Sequence, residues 1–103
     1  MLNQVVLIGR LTKDPELKVL DSGKSVLNAN LAVRRSYKNE EGKYDTDFID
    51  VVLWEGLAES FAKYAEKGSL IAIKGRLDIQ KYQVNEENYL NLIKVIAEKI
   101  TYL

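Results

Sequence analysis

The sequence predicts an all-β domain, namely a small closed β-barrel of five strands that carries one short helix. Five segments show the two-residue alternation or the short apolar runs that are typical of β-strands. One segment, between the third and the fourth of these, instead has apolar residues at helical spacing. The chain has 103 residues, which is near the commonest size of one domain, so we expect residues 1–103 to form a single unit.

The first predicted strand is Asn3 to Leu11, whose sequence NQVVLIGRL is rich in β-branched residues. It ends at the segment KDPE, where Pro15, the only proline, indicates a turn. A second turn is predicted at residues 21–24, DSGK. The second strand, Val26 to Tyr37, alternates between a polar and an apolar face. The apolar face is formed by Leu27, Ala29, Leu31 and Val33.

A polar hairpin loop, residues 38–47, leads into the third predicted strand, DFIDVVLWEG. The core face of this strand is formed by Ile49, Val51 and Leu53. The opposite face carries Phe48 and Trp54, two large aromatic residues, on the same side as the Asp50 carboxylate. The only Trp of the chain therefore lies on the polar face of a strand, which is a first indication of a binding surface.

The segment after this strand, residues 56–69, predicts one helix of about three turns. Gly68, preceded by Lys67, predicts the point at which the helix ends. The fourth strand is predicted from Ser69 to Tyr82. Its inner face is expected to consist of Ile71, Ile73, Leu77 and Ile79. The last strand, Tyr89 to Leu103, is apolar on both faces, which indicates either a closed sheet or a subunit contact.

The predicted order of elements is β-β-β-α-β-β. Five strands with one helix between the third and the fourth suit a five-stranded Greek-key OB-fold barrel. An open α+β sheet, in which the same strands do not close on themselves, is the alternative.

The composition excludes several kinds of site. The chain has no Cys and no His, which removes thiolate zinc sites, Cys nucleophiles and the commonest general base. The acidic residues of segment 40–55 lack the spacing of a metal-binding loop, and no phosphate-binding loop is present. We therefore expect no catalytic residue, no metal, no cofactor and no enzymatic activity. Since neither a signal peptide nor a long apolar run is visible, we expect a cytoplasmic protein with no membrane partner.

The net charge is zero, but the charge is unevenly distributed along the chain. Residues 1–38 carry seven Lys and Arg against three Asp and Glu, residues 39–66 carry two against eight, and residues 67–103 carry six against four. The basic charge therefore lies toward the two ends of the chain, and the fold decides whether these ends meet.

Three predicted strands combine aromatic or basic residues, or both, on or beside a polar face. These residues are Arg34, Arg35, Tyr37, Phe48, Trp54, Lys74, Arg76 and Tyr82. Aromatic rings stack on the faces of any base, and Lys and Arg neutralise phosphates. Since duplex DNA hides the faces of its bases, this surface predicts a single-stranded ligand. The alternative is a protein-interaction barrel that uses the same aromatics for a partner chain and does not bind DNA.

Four segments of the chain resemble the bacterial-type single-stranded DNA-binding proteins. They are MLNQVVLIGRLTKDPEL at the start, NANLAVRRSY in the second strand, DFIDVVLWEGLAE in the third and KGSLIAIKGRL in the fourth. Together they span nearly the whole chain. The resemblance implies an OB-fold that binds and protects single-stranded DNA in replication, recombination and repair. It also implies a homotetramer that is built as a dimer of dimers.

The same resemblance assigns roles to individual residues. The base-stacking aromatics of the family fall on Tyr37, Phe48, Trp54 and Tyr82. Its basic contacts fall on or near Lys18, Arg34, Arg35, Lys74, Arg76 and Lys81. Tyr37 and Phe48 occupy two positions at which the family typically has Trp, so we expect weaker stacking there. The family usually continues into a disordered linker and an acidic tail, whereas the sequence stops at EKITYL, so we expect no tail-mediated recruitment of partner proteins.

Overall fold

The computed structural model of the chain describes residues 1–103 and contains six strands and one helix. The strands are β1 (Val5–Leu11), β2 (Leu17–Val19), β3 (Ser25–Lys38), β4 (Tyr44–Trp54), β5 (Leu70–Gln83) and β6 (Tyr89–Tyr102). The helix, α1, is Glu55–Tyr64 and follows β4 directly. It has ten residues and lacks the length and apolar character that a helix needs to cross a bilayer.

Five of the strands close into a barrel. The hydrogen-bonded order is β1-β5-β6-β4-β3, and β1 also pairs with β3, at Arg10 with Ala32 and at Leu11 with Leu31. The pairing of β4 with β6 is parallel, and the other pairings are antiparallel. This arrangement, with α1 between the third and fourth barrel strands, confirms the predicted OB-fold. The β1–β3 pairing excludes the open sheet.

The interior of the barrel is filled by one apolar cluster from the strands and α1. The largest fully buried side chains are Phe61, Leu27, Leu31, Leu53, Ile71, Ile73 and Val51. Gly9 lies where β1 passes closest to β3, and a Cβ there would collide with the carbonyl oxygen of Ala32. Only glycine therefore permits the close approach that closes the barrel at this seam.

The sequence analysis missed one strand and misplaced two element limits, since β4 begins at Tyr44, inside the predicted loop of residues 38–47, and α1 ends earlier than expected. β2 is a sixth strand that was not predicted, because three residues are too few to show an alternation; it pairs with β3. The helix ends at Tyr64 rather than at Gly68. Gly68, with a φ of 90°, instead forms the turn that leads into β5, where its N–H donates to the carbonyl oxygen of Leu11 at 2.8 Å.

The predicted inner face of the fourth barrel strand is only half correct. Ile71 and Ile73 are fully buried, but Leu77 and Ile79 are exposed. The reason is that β5 and β6 pair as far as Gln83 with Tyr89 and so project beyond the barrel as a two-stranded arm. The residues of this arm have no barrel interior to face. The first part of β6, whose sequence is apolar on both faces, is exposed for the same reason.

Candidate nucleic-acid interface

Trp54 is the last residue of β4 and lies on the outer surface of the barrel with 41% of its area exposed. The chain turns sharply after it, because Glu55 adopts a φ of 54° that only a few per cent of non-glycine residues show. The carboxylate of Glu55 stabilises this turn by accepting the backbone N–H of Ser25 at 2.8 Å. Across the sheet, Trp54 pairs with Val26, and Val26 pairs with Lys18. The missed strand β2 therefore brings Lys18 into the row of Trp54.

An open groove of about 370 Å³ runs beside Trp54. Its lining residues are Leu20, Val26, Asn28, Val52, Trp54, Arg76, Asp78, Gln80, Lys94 and Ile96. Arg76 has only one weak ionic partner, Asp78, at 3.8 Å. The groove also contains Lys94, which the sequence analysis did not select because the alternation of β6 could not be oriented. A groove lined by an exposed indole ring and two cations suits a stacked base and its phosphates.

Phe48 lies further back on β4, on the same face as Trp54, and is 68% exposed. Its neighbour across the sheet is Ala32, whose short side chain leaves the ring uncovered, and the next in the row is Arg10. Arg10 and Arg34 line a second open groove, of about 540 Å³. Arg10 was also missed, because nothing in the alternation of the first strand separates it from an ordinary solvated cation.

Arg34 and Arg35 point to opposite faces of the β3–β4 hairpin, as successive strand residues do. The Arg34 guanidinium lies 5.0 Å from the ring centre of Tyr44, and Arg34 pairs in register with Thr46, two residues before Phe48. Arg34 and Tyr44 therefore share the outer face with Phe48. Tyr44 was given no role from the sequence, because the predicted loop covered its position.

Arg35 faces the other side of the hairpin and is bound to Asp47. Its Nη2 donates to Oδ1 of Asp47 at 2.9 Å, and its Nε donates to Oδ2 at 3.0 Å. The hydrogen bonds from Arg35 hold the pKa of the Asp47 carboxyl below its ordinary value. Nη1 of Arg35 also lies 3.4 Å from the Tyr37 hydroxyl. Tyr37 is thus grouped with Arg35, on the face opposite to Phe48.

The arm of β5 and β6 carries the other proposed residues. Tyr82 is about half exposed and lies on the same face of β5 as Gln80, which lines the Trp54 groove. The Tyr82 hydroxyl donates to Oε1 of Gln80 at 2.8 Å. Lys81 lies between them and therefore points to the opposite face. Lys74 is exposed on the outer face, where it pairs in register with Val6 of β1.

The structure thus brings most of the predicted residues onto one outer face. The residues on that face are Lys18, Arg34, Phe48, Trp54, Lys74, Arg76 and Tyr82. The remaining three point the other way: Arg35 and Tyr37 lie on the opposite face of the β3–β4 hairpin, and Lys81 lies on the opposite face of the β5–β6 arm. Among the acidic residues, no group of three or more could hold a metal ion.

Comparison with known proteins gives consistent matches over the full chain. Residues 2–103 match the single-strand binding protein family. A single-stranded DNA-binding protein of Halalkalibacterium halodurans is 44% identical over 103 residues, which is all of this chain and 61% of that protein. Single-stranded DNA-binding protein B of Bacillus subtilis is 39% identical over the same length, which is 91% of that protein. Single-stranded DNA-binding protein 1 of Staphylococcus aureus is 41% identical over 66% of its length.

Proposed function

Since the chain belongs to the single-strand binding protein family, we propose that it binds single-stranded DNA with little sequence preference, without catalysing a reaction on it. The observation that carries this proposal is the outer face of the barrel, which presents both exposed aromatic rings and cations. Phe48 and Trp54 lie on one strand, six residues and about 20 Å apart, so that one DNA strand could stack bases on both.

Phe48 and Trp54 define a track on the outer face that extends past both rings. Arg34 and Tyr44 continue it past Phe48, and Tyr82 continues it along the arm past the Trp54 groove. Cations along the track neutralise phosphates, and the rings accept any base because every base has an aromatic face. We propose that this binding protects single strands in the cytoplasm during replication, recombination and repair.

We further propose that the protein assembles as a homotetramer, a dimer of dimers. β1 pairs with β3 only at Arg10 and Leu11, so the edge of β1 from Val5 to Gly9 is open on one side. The outer face of this segment carries Val6 and Ile8, which are more than half exposed. Open strand edges and apolar side chains together favour pairing with another copy of the chain.

A titration of fluorescently labelled oligonucleotides, followed by anisotropy, tests DNA binding. We expect tight binding of oligothymidylate and much weaker binding of a duplex of equal length. The binding constant should fall with increasing salt, with a slope of about −0.7 for each phosphate contact. Equal binding of both oligonucleotides would contradict selection of single strands by base stacking and would indicate phosphate contacts alone. No binding of either would contradict the proposal and favour a protein partner for the same aromatics.

A further inference from the structure

Asp50 lies on the outer face of β4 between the two exposed aromatics, two residues after Phe48 and four before Trp54. Neighbouring residues on one face of a strand are about 7 Å apart. The Asp50 carboxylate is therefore within reach of the edge of a base that stacks on Phe48. A carboxylate in this position is unexpected on a surface that is to follow a chain of phosphates, because the two negative charges repel each other.

An amide on the neighbouring strand orients this carboxylate. Asn30 is the register partner of Asp50, and its Nδ2 donates to Oδ1 of Asp50 at 3.1 Å. A carboxylate only accepts hydrogen bonds, so the amide nitrogen must face it. The amide oxygen then faces the hydroxyl of Thr12, which donates to it at 3.0 Å. Oδ2 of Asp50 has no hydrogen-bond partner within the chain, and the residue is exposed.

The Asp50 carboxylate also forms no ion pair. The ion pairs of the structure are those of Arg35 with Asp45 and Asp47 and that of Arg76 with Asp78. This carboxylate oxygen is oriented, unpaired and placed between two stacking rings. It is therefore suited to accept a hydrogen bond from an N–H group on a base edge rather than to approach a phosphate.

We propose that Asp50 is a specificity-determining residue that accepts a hydrogen bond from the exocyclic amino group of a base stacked beside it. Cytosine and adenine present such an amino group, whereas thymine, uracil and guanine present a carbonyl oxygen at the corresponding position. The expected result is a modest preference for cytosine and adenine on a surface that otherwise accepts any base. This inference rests on the proposed binding of single-stranded DNA and adds base selection to it.

Competition binding with oligo-dC and oligo-dU of equal length, at pH 7.5, tests the inference. These two pyrimidines are similar in size, and oligo-dU lacks the thymine methyl group. The measured quantity is the ratio of the dC affinity to the dU affinity, compared between the natural chain and Asp50→Asn. Base stacking within each free oligonucleotide affects both proteins equally, so its effect cancels in this comparison. We expect the dC/dU ratio to fall about threefold to tenfold in Asp50→Asn, as the loss of one hydrogen bond predicts. Asn30→Ala, which releases the carboxylate, should lower the ratio by a smaller factor.

The matched control is Glu66→Gln, which removes one negative charge from an exposed residue after α1. This control should leave the dC/dU ratio unchanged, and all variants should melt close to the natural chain. If the natural chain binds both oligonucleotides and Asp50→Asn has the same dC/dU ratio, the proposed role of Asp50 is wrong, while the proposal of DNA binding stands. If the natural chain binds neither oligonucleotide, both proposals are overturned.

Discussion

Arg35 and Asp47 form a bidentate ion pair across the β3–β4 hairpin. Nε of Arg35 lies 3.2 Å from Oδ1 and 3.0 Å from Oδ2 of Asp47, and Nη2 lies 2.9 Å from Oδ1. Its sequence neighbour Arg34 forms no ion pair and lies over the ring of Tyr44 on the other face. Two adjacent arginines that the sequence cannot separate are therefore in different electrostatic states.

Arg34→Ala and Arg35→Ala should affect DNA binding differently. Arg34 is free to contact a phosphate, so its loss should weaken binding for all sequences and reduce the magnitude of the salt slope by about 0.7. Arg35 is already neutralised by Asp47, so its loss should change the slope clearly less. Anisotropy titrations of both variants at several salt concentrations measure the two slopes. Equal reductions would show that the DNA displaces Asp47 from Arg35, contrary to this account.

The stabilising effect of the Arg35–Asp47 pair should depend on pH in the acidic range. The hydrogen bonds from Arg35 lower the pKa of Asp47 from its ordinary value of 3.8. A carboxyl whose pKa is lower in the folded state stabilises the fold above the unfolded-state pKa, and this contribution is lost as the pH falls through the folded-state pKa. Both side chains are exposed, so the contribution is small.

Melting curves of the natural chain and Asp47→Asn from pH 7 to pH 2 measure this dependence. Asn resembles the protonated carboxyl, so the natural chain should melt slightly higher at pH 7, and the difference should shrink below about pH 4. A difference that stays constant down to pH 2 would show that the charge of Asp47 does not contribute.

The proposed tetramer should depend on the open segment of β1. The natural chain should sediment at about four times its mass of 11.7 kDa. Ile8→Lys places a charge on the exposed apolar face of β1 and should shift the protein toward smaller species. Tyr64→Lys, an equally charged change at an exposed position of α1, is the control and should leave the mass unchanged. A natural chain that sediments as a monomer at micromolar concentration would contradict the assembly.

Truncating two phenylalanines should affect two different measurements. Phe61 is fully buried, so Phe61→Ala should cost about 3–5 kcal/mol of unfolding free energy. Phe48 is exposed on the outer face, so Phe48→Ala should leave the fold nearly intact and instead weaken oligothymidylate binding by about 1–3 kcal/mol. Thermal melting and titration of both variants separate these effects. A large fall in melting temperature for Phe48→Ala with unchanged affinity would contradict its place in the interface.

The sequence predicted the barrel because its strands alternate wherever one face meets the core. Leu27, Leu31 and Leu53 lie in the core as their spacing indicates. The alternation did not predict how far β5 and β6 extend past the barrel, because Leu77 and Ile79 are as apolar as true core residues. β2 was not predicted for a different reason. It is stabilised by its pairing with β3 and shows no apolar pattern of its own.

The candidate site was only partly predictable for a related reason. Alternation along β4 placed Phe48 and Trp54 on one face, but it says nothing about which residues of other strands lie beside them. Lys94 reaches the Trp54 groove through the parallel pairing of β6 with β4, and Arg10 enters the Phe48 row through the short β1–β3 contact. Both relationships depend on barrel closure, so they could not be read from local periodicity.

Trp54 offers the most direct test of the proposal that this outer face binds single-stranded DNA by stacking. It is the only Trp of the chain, so the intrinsic fluorescence of the protein under excitation selective for Trp reports on this one ring. Titration with oligothymidylate should quench that fluorescence to saturation, and added salt should reverse the quenching as the DNA dissociates. Binding by anisotropy with no change in Trp54 emission would contradict the account, because the DNA would then lie elsewhere on the barrel.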